Sequence, residues 1–117
     1  MSITDLMTEA ADALKATGVF SAVIIREDSS AVIGREPAAD IEYGGMSTVS
    51  DGPVSTYEHT LYIYVRLLSI GRADMSPADT ALTALRGTGA VSVTCVPDST
   101  DSRTVTFKLT AFYRSAA

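Results

Sequence analysis

The chain has 117 residues, a formal net charge of -5 and a pI near 4.6, with 46% hydrophobic and 20% charged residues. It is the size of one domain, 1–117, and a chain of this length buries roughly 65% of the surface its unfolded form exposes, enough for one core. The acidic balance excludes a nucleic-acid binder held by phosphate contacts and docking on an anionic membrane, both of which need clustered Lys and Arg. A single cysteine, Cys95, excludes an internal disulfide and a multi-cysteine zinc site. Residues 1–18 carry no basic leader with a continuous apolar core. No apolar run approaches the roughly 20 residues that span a bilayer. The expected setting is cytoplasm-like or an assembly.

Ile3, Leu6, Met7, Ala10 and Leu14 fall at helical spacing and predict a helix over residues 3–17, capped by Ser2 and ended at Gly18. Residues 19–26 are short, apolar and β-branched, and predict a strand. Residues 27–36, with Asp28, Ser29, Ser30 and Gly34, read as a loop. After Pro37, Ala39, Ile41 and Tyr43 alternate with Asp40 and Glu42, which predicts a second strand over residues 38–43.

Residues 44–56 hold Gly44, Gly45, Ser47, Thr48, Ser50, Asp51, Gly52, Pro53 and Ser55. They read as a long loop without a packed element, and such a loop between strands is uncommon unless it is functional or disordered. Residues 57–69 form the longest run of strand-favouring residues. Leu61, Ile63, Val65 and Leu67 share one face and belong against a core; Thr60, Tyr62, Tyr64 and Arg66 share the other, which is half wet or covered by another subunit.

Ser76 as cap, Pro77 at the first helical position and Asp79 predict a second, short helix with Ala78, Ala81, Leu82 and Leu85 on its apolar face, stopped by Gly87 and Gly89. Residues 90–96 alternate Val91, Val93 and Cys95 against Ser92, Thr94 and Val96. Residues 97–102 are turn chemistry, and residues 103–114 close the chain as a long strand. The expected fold is α+β: a mostly antiparallel sheet of about five strands, two helices packed on one face, in the order α-β-β-β-α-β-β. The other face carries Asp40, Glu42, Thr60, Tyr62, Tyr64, Arg66, Thr104, Thr106, Lys108 and Thr110, and its tyrosines suit a protein interface.

No catalytic or cofactor signature stands out. His59 is the only histidine, and no cysteine or second histidine completes a triad or a metal site around it. It reads as structural or solvent-facing. Cys95 reads as a buried small hydrophobe. Asp40 and Glu42 share a face with Arg66 and Lys108, which reads as a charge cluster rather than an acid–base pair. Gly44-Gly45 and Gly87-Thr88-Gly89 lack the residues and the helix opening of a phosphate loop. The expectation is a non-enzyme with no cofactor. Its candidate partner or subunit interface is Gly44, Gly45, Met46, Thr48, Val49 and Asp51 in the loop, with Tyr62, Tyr64 and Arg66 on the adjoining strand.

The Pro37-Ala38-Ala39-Asp40-Ile41-Glu42-Tyr43 strand, the Gly-rich stretch, the Thr60-Leu61-Tyr62-Ile63-Tyr64-Val65 strand, the short helix and a Thr-rich closing strand running from Phe107 to Tyr113 resemble the small tail terminator, or tail completion, proteins of long-tailed bacteriophages. The likeness rests on element order and length over nearly the whole chain. It implies a virion protein of the tail or neck, assembled in the host cytoplasm. It further implies a homo-oligomeric ring, usually a hexamer, that sits on the last disc of the tail-tube protein, stops tube polymerisation and offers a surface to the head–tail connector. DNA would be only passing cargo, and an acidic lumen would not hold it. The short second helix and its approach leave room for another neck protein of related fold. A small dimeric ligand-binding or regulatory α+β domain is the alternative from a different class.

Overall fold

The computed structural model describes residues 2–25, 36–51, 54–68, 75–100 and 103–116. The order is α1 (Ile3–Ala16), β1 (Ala22–Ile25), β2 (Ala38–Asp51), β3 (Val54–Leu68), α2 (Ser76–Arg86), β4 (Ser92–Thr100) and β5 (Thr104–Ala116). The strands form one sheet in the order β1-β2-β3-β5-β4, with β1 parallel to β2 and every other neighbour antiparallel. This is the expected α+β architecture, with both helices on one face. Most of the expected loop over residues 27–36, Gly52-Pro53, the approach to the second helix and residues 101–102 lie outside the described residues.

Local chemistry explains the elements. The Ser2 hydroxyl accepts the Asp5 amide at 3.0 Å, and Gly18 adopts φ +71, the left-handed turn that ends α1. α2 begins one residue before the expected start. Met75, not Ser76, is its cap, because the amides of Ala78 and Asp79 both close on the Met75 carbonyl. β1 is shorter than expected and covers four residues, Ala22–Ile25. β4 runs past residue 96 through Pro97 to Thr100, so the expected turn over 97–102 is strand in its described part. On an edge strand every second amide points away from the partner, and a proline there breaks no ladder bond; a bulge between Pro97 and Ser99 absorbs Asp98.

The core lies between the sheet and the helices. Leu6, Ala10, Ala11 and Leu14 from α1 and Ala81 and Leu85 from α2 meet Ala39, Ile41, Leu61, Ile63, Val65, Leu67, Leu109 and Ala111. Ile3, expected in the α1 stripe, is 39% exposed, and Ala11 is buried in the core. Cys95 points inward but is only half-buried. Burial pushes its thiol pKa up, and the Asp79 charge adds to that, which disfavours a thiolate nucleophile.

The largest correction concerns residues 44–56. β2 reaches Asp51 and β3 starts at Val54, and they pair continuously from Ala38↔Arg66 to Asp51↔Val54. What read as a loop is a long hairpin arm, and β5 continues alongside it as far as Ala116↔Thr56. The molecule is accordingly elongated, 54 × 24 × 23 Å. The arm lacks the apolar alternation of a covered strand because neither helix extends beneath it. The ladder with β3 pairs one edge of its β2 strand, and the Thr56 hydroxyl donates to the Val49 carbonyl at 3.0 Å.

Two expectations follow. Truncating Ile63 or Leu85, both fully enclosed, to alanine should cost about 2–5 kcal/mol in urea unfolding, while Ile3→Ala should stay below about 1 kcal/mol. Tyr113 is held with its pKa raised, chiefly by burial; the hydrogen bond to Thr88 lowers it and the charge of Glu9 raises it. The unfolded phenol therefore ionises first, so stability should be intact below pH about 10 and fall as pH rises above it. Tyr113→Phe should flatten that alkaline loss in a pH series of thermal melts; an unchanged slope would assign the loss to other groups.

Candidate functional site

The polar face of the sheet and the arm form one surface, and its geometry starts from a bulge. The register steps from Tyr43↔Leu61 to Gly45↔Thr60, leaving Gly44 as the extra residue. Gly45 takes φ +119, a conformation that residues with a Cβ rarely adopt. The step also inverts the alternation. Before it, Ile41 and Tyr43 face the helices; beyond it, Met46 and Thr48 take that side, opposite His59 and Tyr57.

Gly44 has a second role. A Cβ placed there would lie 2.5 Å from Cε2 of Tyr62, so the missing side chain lets the Tyr62 ring lie against the backbone. Lys108, opposite Tyr64 on β5, holds its Nζ 4.2 Å from the Tyr62 ring centroid and 5.8 Å from that of Tyr64. The ammonium thus spans both rings as a cation–π contact. One row further, the Arg66 Nε donates to Glu36 Oε1 at 3.0 Å and straps the end of β3 to the start of β2. The extra residue of the β4 bulge places Asp98 and Ser99 beside Asp40, Tyr64, Arg66 and Thr106 around a polar recess of about 360 Å³. Asp40 is only 4% exposed there. Along the arm, Arg114 lies opposite Glu58 with 3.6 Å between Nε and Oε2, a partly exposed pair worth little.

The inner side of the arm is stitched by hydrogen bonds instead of helices. His59 is 5% exposed. Its Nδ1 lies 3.0 Å from the Tyr43 hydroxyl and its Nε2 lies 3.0 Å from the Ser115 hydroxyl. A neutral imidazole has one donor and one acceptor nitrogen, and the two hydroxyls match either tautomer. The chain Tyr43–His59–Ser115 mimics an acid–base–nucleophile order, but burial raises the Tyr43 pKa, and a neutral phenol does not supply the negative charge that a triad carboxylate does. The arrangement therefore works as a cross-strand clamp over β2, β3 and β5. It answers the open reading of His59 in favour of a buried structural role.

The nine candidate interface residues all fall on β2 and β3. Gly44, Gly45, Val49, Tyr62, Tyr64 and Arg66 share the polar face; Met46 and Thr48 lie on the opposite side of the arm, and Asp51 ends β2. Lys108 lies on the expected polar face although it is not among the nine, and Glu36 and Ser115 join the site without any signal in the sequence. Alternation along β5 shows the face of Lys108. Its position over Tyr62 depends on the β3–β5 register, and nothing in a single strand reveals that.

No protein-family model matches the chain, and no curated protein matches it. Among solved structures, a chain from the virion of a native gene transfer agent (GTA) particle shares the fold, with a TM-score of 0.57, 15% sequence identity, and coverage of 96% of this chain and 95% of that one. At that identity the likeness is one of fold.

The bulge is directly testable. Gly45→Ala puts a Cβ at φ +119 and should destabilise the protein by about 1–3 kcal/mol. His59→Phe strands the two hydroxyls and should cost about 1–3 kcal/mol. Chemical denaturation reads both; wild-type stability in both variants would remove the bulge and clamp from this account.

Proposed function

We propose that this chain is a structural protein of a phage-like virion, and within it the tail terminator or completion protein. In this reading copies assemble into a ring, a hexamer, on the last disc of the tail tube. The ring ends tube polymerisation and presents its far side to the head–tail connector. The protein belongs to the tail or neck and is assembled in the host cytoplasm. The observation that carries the reading is the end-to-end fold likeness to a chain of the gene transfer agent virion, covering 96% of this chain and 95% of that one. Element order and the Tyr-Ile-Tyr-Val strand point the same way.

The geometry fits such a part. A terminator needs contacts to like copies around a ring and to unlike proteins above and below it. This chain offers a rigid helix-backed sheet, a polar face with Tyr62 and Tyr64 held by Lys108, and an arm reaching past the helices. Tyrosines anchor protein interfaces well because they bury a large apolar ring while keeping a polar tip. The net charge of -5 suits a passage through which DNA must move without adhering. The arm is assigned to contact with the tube or a neighbouring copy.

The test is tube capping. Wild-type chain added to polymerising tail-tube protein should arrest tube length and decorate one end in negative-stain images. A variant lacking residues 47–57, rejoined by a short turn, should keep the core fold by circular dichroism and lose the capping. Tubes that grow equally long with and without the wild-type chain would refute the terminator reading. Full capping by the shortened chain would refute the role of the arm.

A further inference from the structure

Among the described residues the sheet is open at both borders, and the two borders share an uncommon property. Among the described residues β4 is bonded only to β5. On the other side β1 pairs with Ala38, Ala39, Asp40 and Ile41, and among the described residues no strand lies outside β2 beyond that point. Exposed strand edges are templates for further pairing, and proteins normally blunt them with lysine, proline or a bulge. Here the second half of β4 is blunted by Pro97 and the bulge at Asp98. The first half is not. Residues 92–97 contain no charge, and neither do residues 43–50 along β2, in a chain that is 20% charged overall.

Large apolar side chains are exposed at the same places: Val91 at 55%, Val96 at 51% and Met46 at 53%. Ser92, Thr94, Ser47 and Thr48 beside them are exposed and uncharged. Among the described residues, two uncharged edge segments therefore sit on opposite borders of one sheet, and on β2 the segment from Met46 onward lies past the Gly44 bulge.

Resting on the ring reading above, we propose that neighbouring copies join edge to edge: the first half of β4 of one chain adds to the outer edge of β2 in the next. The occupant of each edge is thus a second copy of this chain. The reason lies in the pairing geometry. The two edges differ in sequence and lie on opposite sides, so a contact between them is heterologous, the type that builds a ring when its rotation closes and a filament when it does not. Main-chain hydrogen bonds supply the attachment, and the exposed Val91, Val96 and Met46 gain cover. β4 against β4 would be an isologous contact and would stop at a dimer.

Amide hydrogen exchange tests this on the assembled ring and on the free chain. Amides within residues 43–50 and 92–97 should both slow by about tenfold or more on assembly, while those of residues 61–67, already enclosed, serve as the internal reference. Val96→Lys and Thr48→Lys, both at exposed positions, should leave the thermal melt unchanged and each lower the ring fraction in light scattering. An intact ring in which the two segments exchange as fast as in the free chain overturns the edge contact and leaves the ring reading standing. Protection of residues 92–97 alone with the mass of two chains assigns β4 to a dimer and overturns the proposal. Failure to form rings under any tube-polymerising condition takes down the ring reading and the edge contact together.

Discussion

The sheet is longer than the helices that cover it, and the rest of the structure follows from that mismatch. β3 has 15 residues, about 50 Å of extended chain. α1 has 14, about 21 Å. Helical cover therefore serves only one half of the strand. In that half Leu61, Ile63, Val65 and Leu67 are enclosed; in the other the chain turns to threonine, tyrosine and histidine. The aliphatic half fixes the register, because a slip of one residue would expose all four side chains. The small residues Ala10, Ala11, Ala78 and Ala81 keep the helical layer tight against the sheet without large side chains at their contact.

Where helical cover ends, polar stitching takes over. The bulge at Gly44 and Gly45 lies one pair beyond Leu61, at the border between the two halves. It changes which β2 side chains face inward just as the apolar requirement lapses. His59 fills the border from β3, tied to Tyr43 on one side and Ser115 on the other. Tyr113 next to it reaches Thr88 beyond the end of α2 at 2.8 Å. These contacts hold the arm in line with the covered sheet, so that it projects as a continuation and not as a separate flap. Gly44 serves the polar face by making room for Tyr62, and Lys108 orders both tyrosine rings. A surface of this kind is pre-formed, which lowers the ordering cost of a contact.

The same mismatch decides what the chain reveals of itself. Both helices, the inward faces of β3 and β5 and the order of elements are written in periodic apolar residues, so they can be read without coordinates. The arm cannot be read that way. Met46, Ser47, Thr48 and Val49 alternate, but no apolar face is required of them, and with Gly44-Gly45 before and Gly52-Pro53 after they look like loop. Pro97 hides the second half of β4 for a related reason: an edge tolerates a residue that an interior strand rejects. Of the candidate site, the Tyr62, Tyr64 and Arg66 row is legible by its period of two. The Glu36–Arg66 strap and the Lys108 contact depend on cross-strand register, and the split of Met46 and Thr48 from the other candidates depends on one bulge.

A sheet face dressed with ordered tyrosines, an arm beyond the helical cover and, among the described residues, uncharged edge segments on both borders make a part with several distinct contact surfaces, as a ring component requires. The mass of the wild-type chain by light scattering, alone and in the presence of tail-tube protein, tests this most directly. The account predicts six-fold rings, either free or appearing at tube ends. A stable dimer that ignores tubes would contradict it.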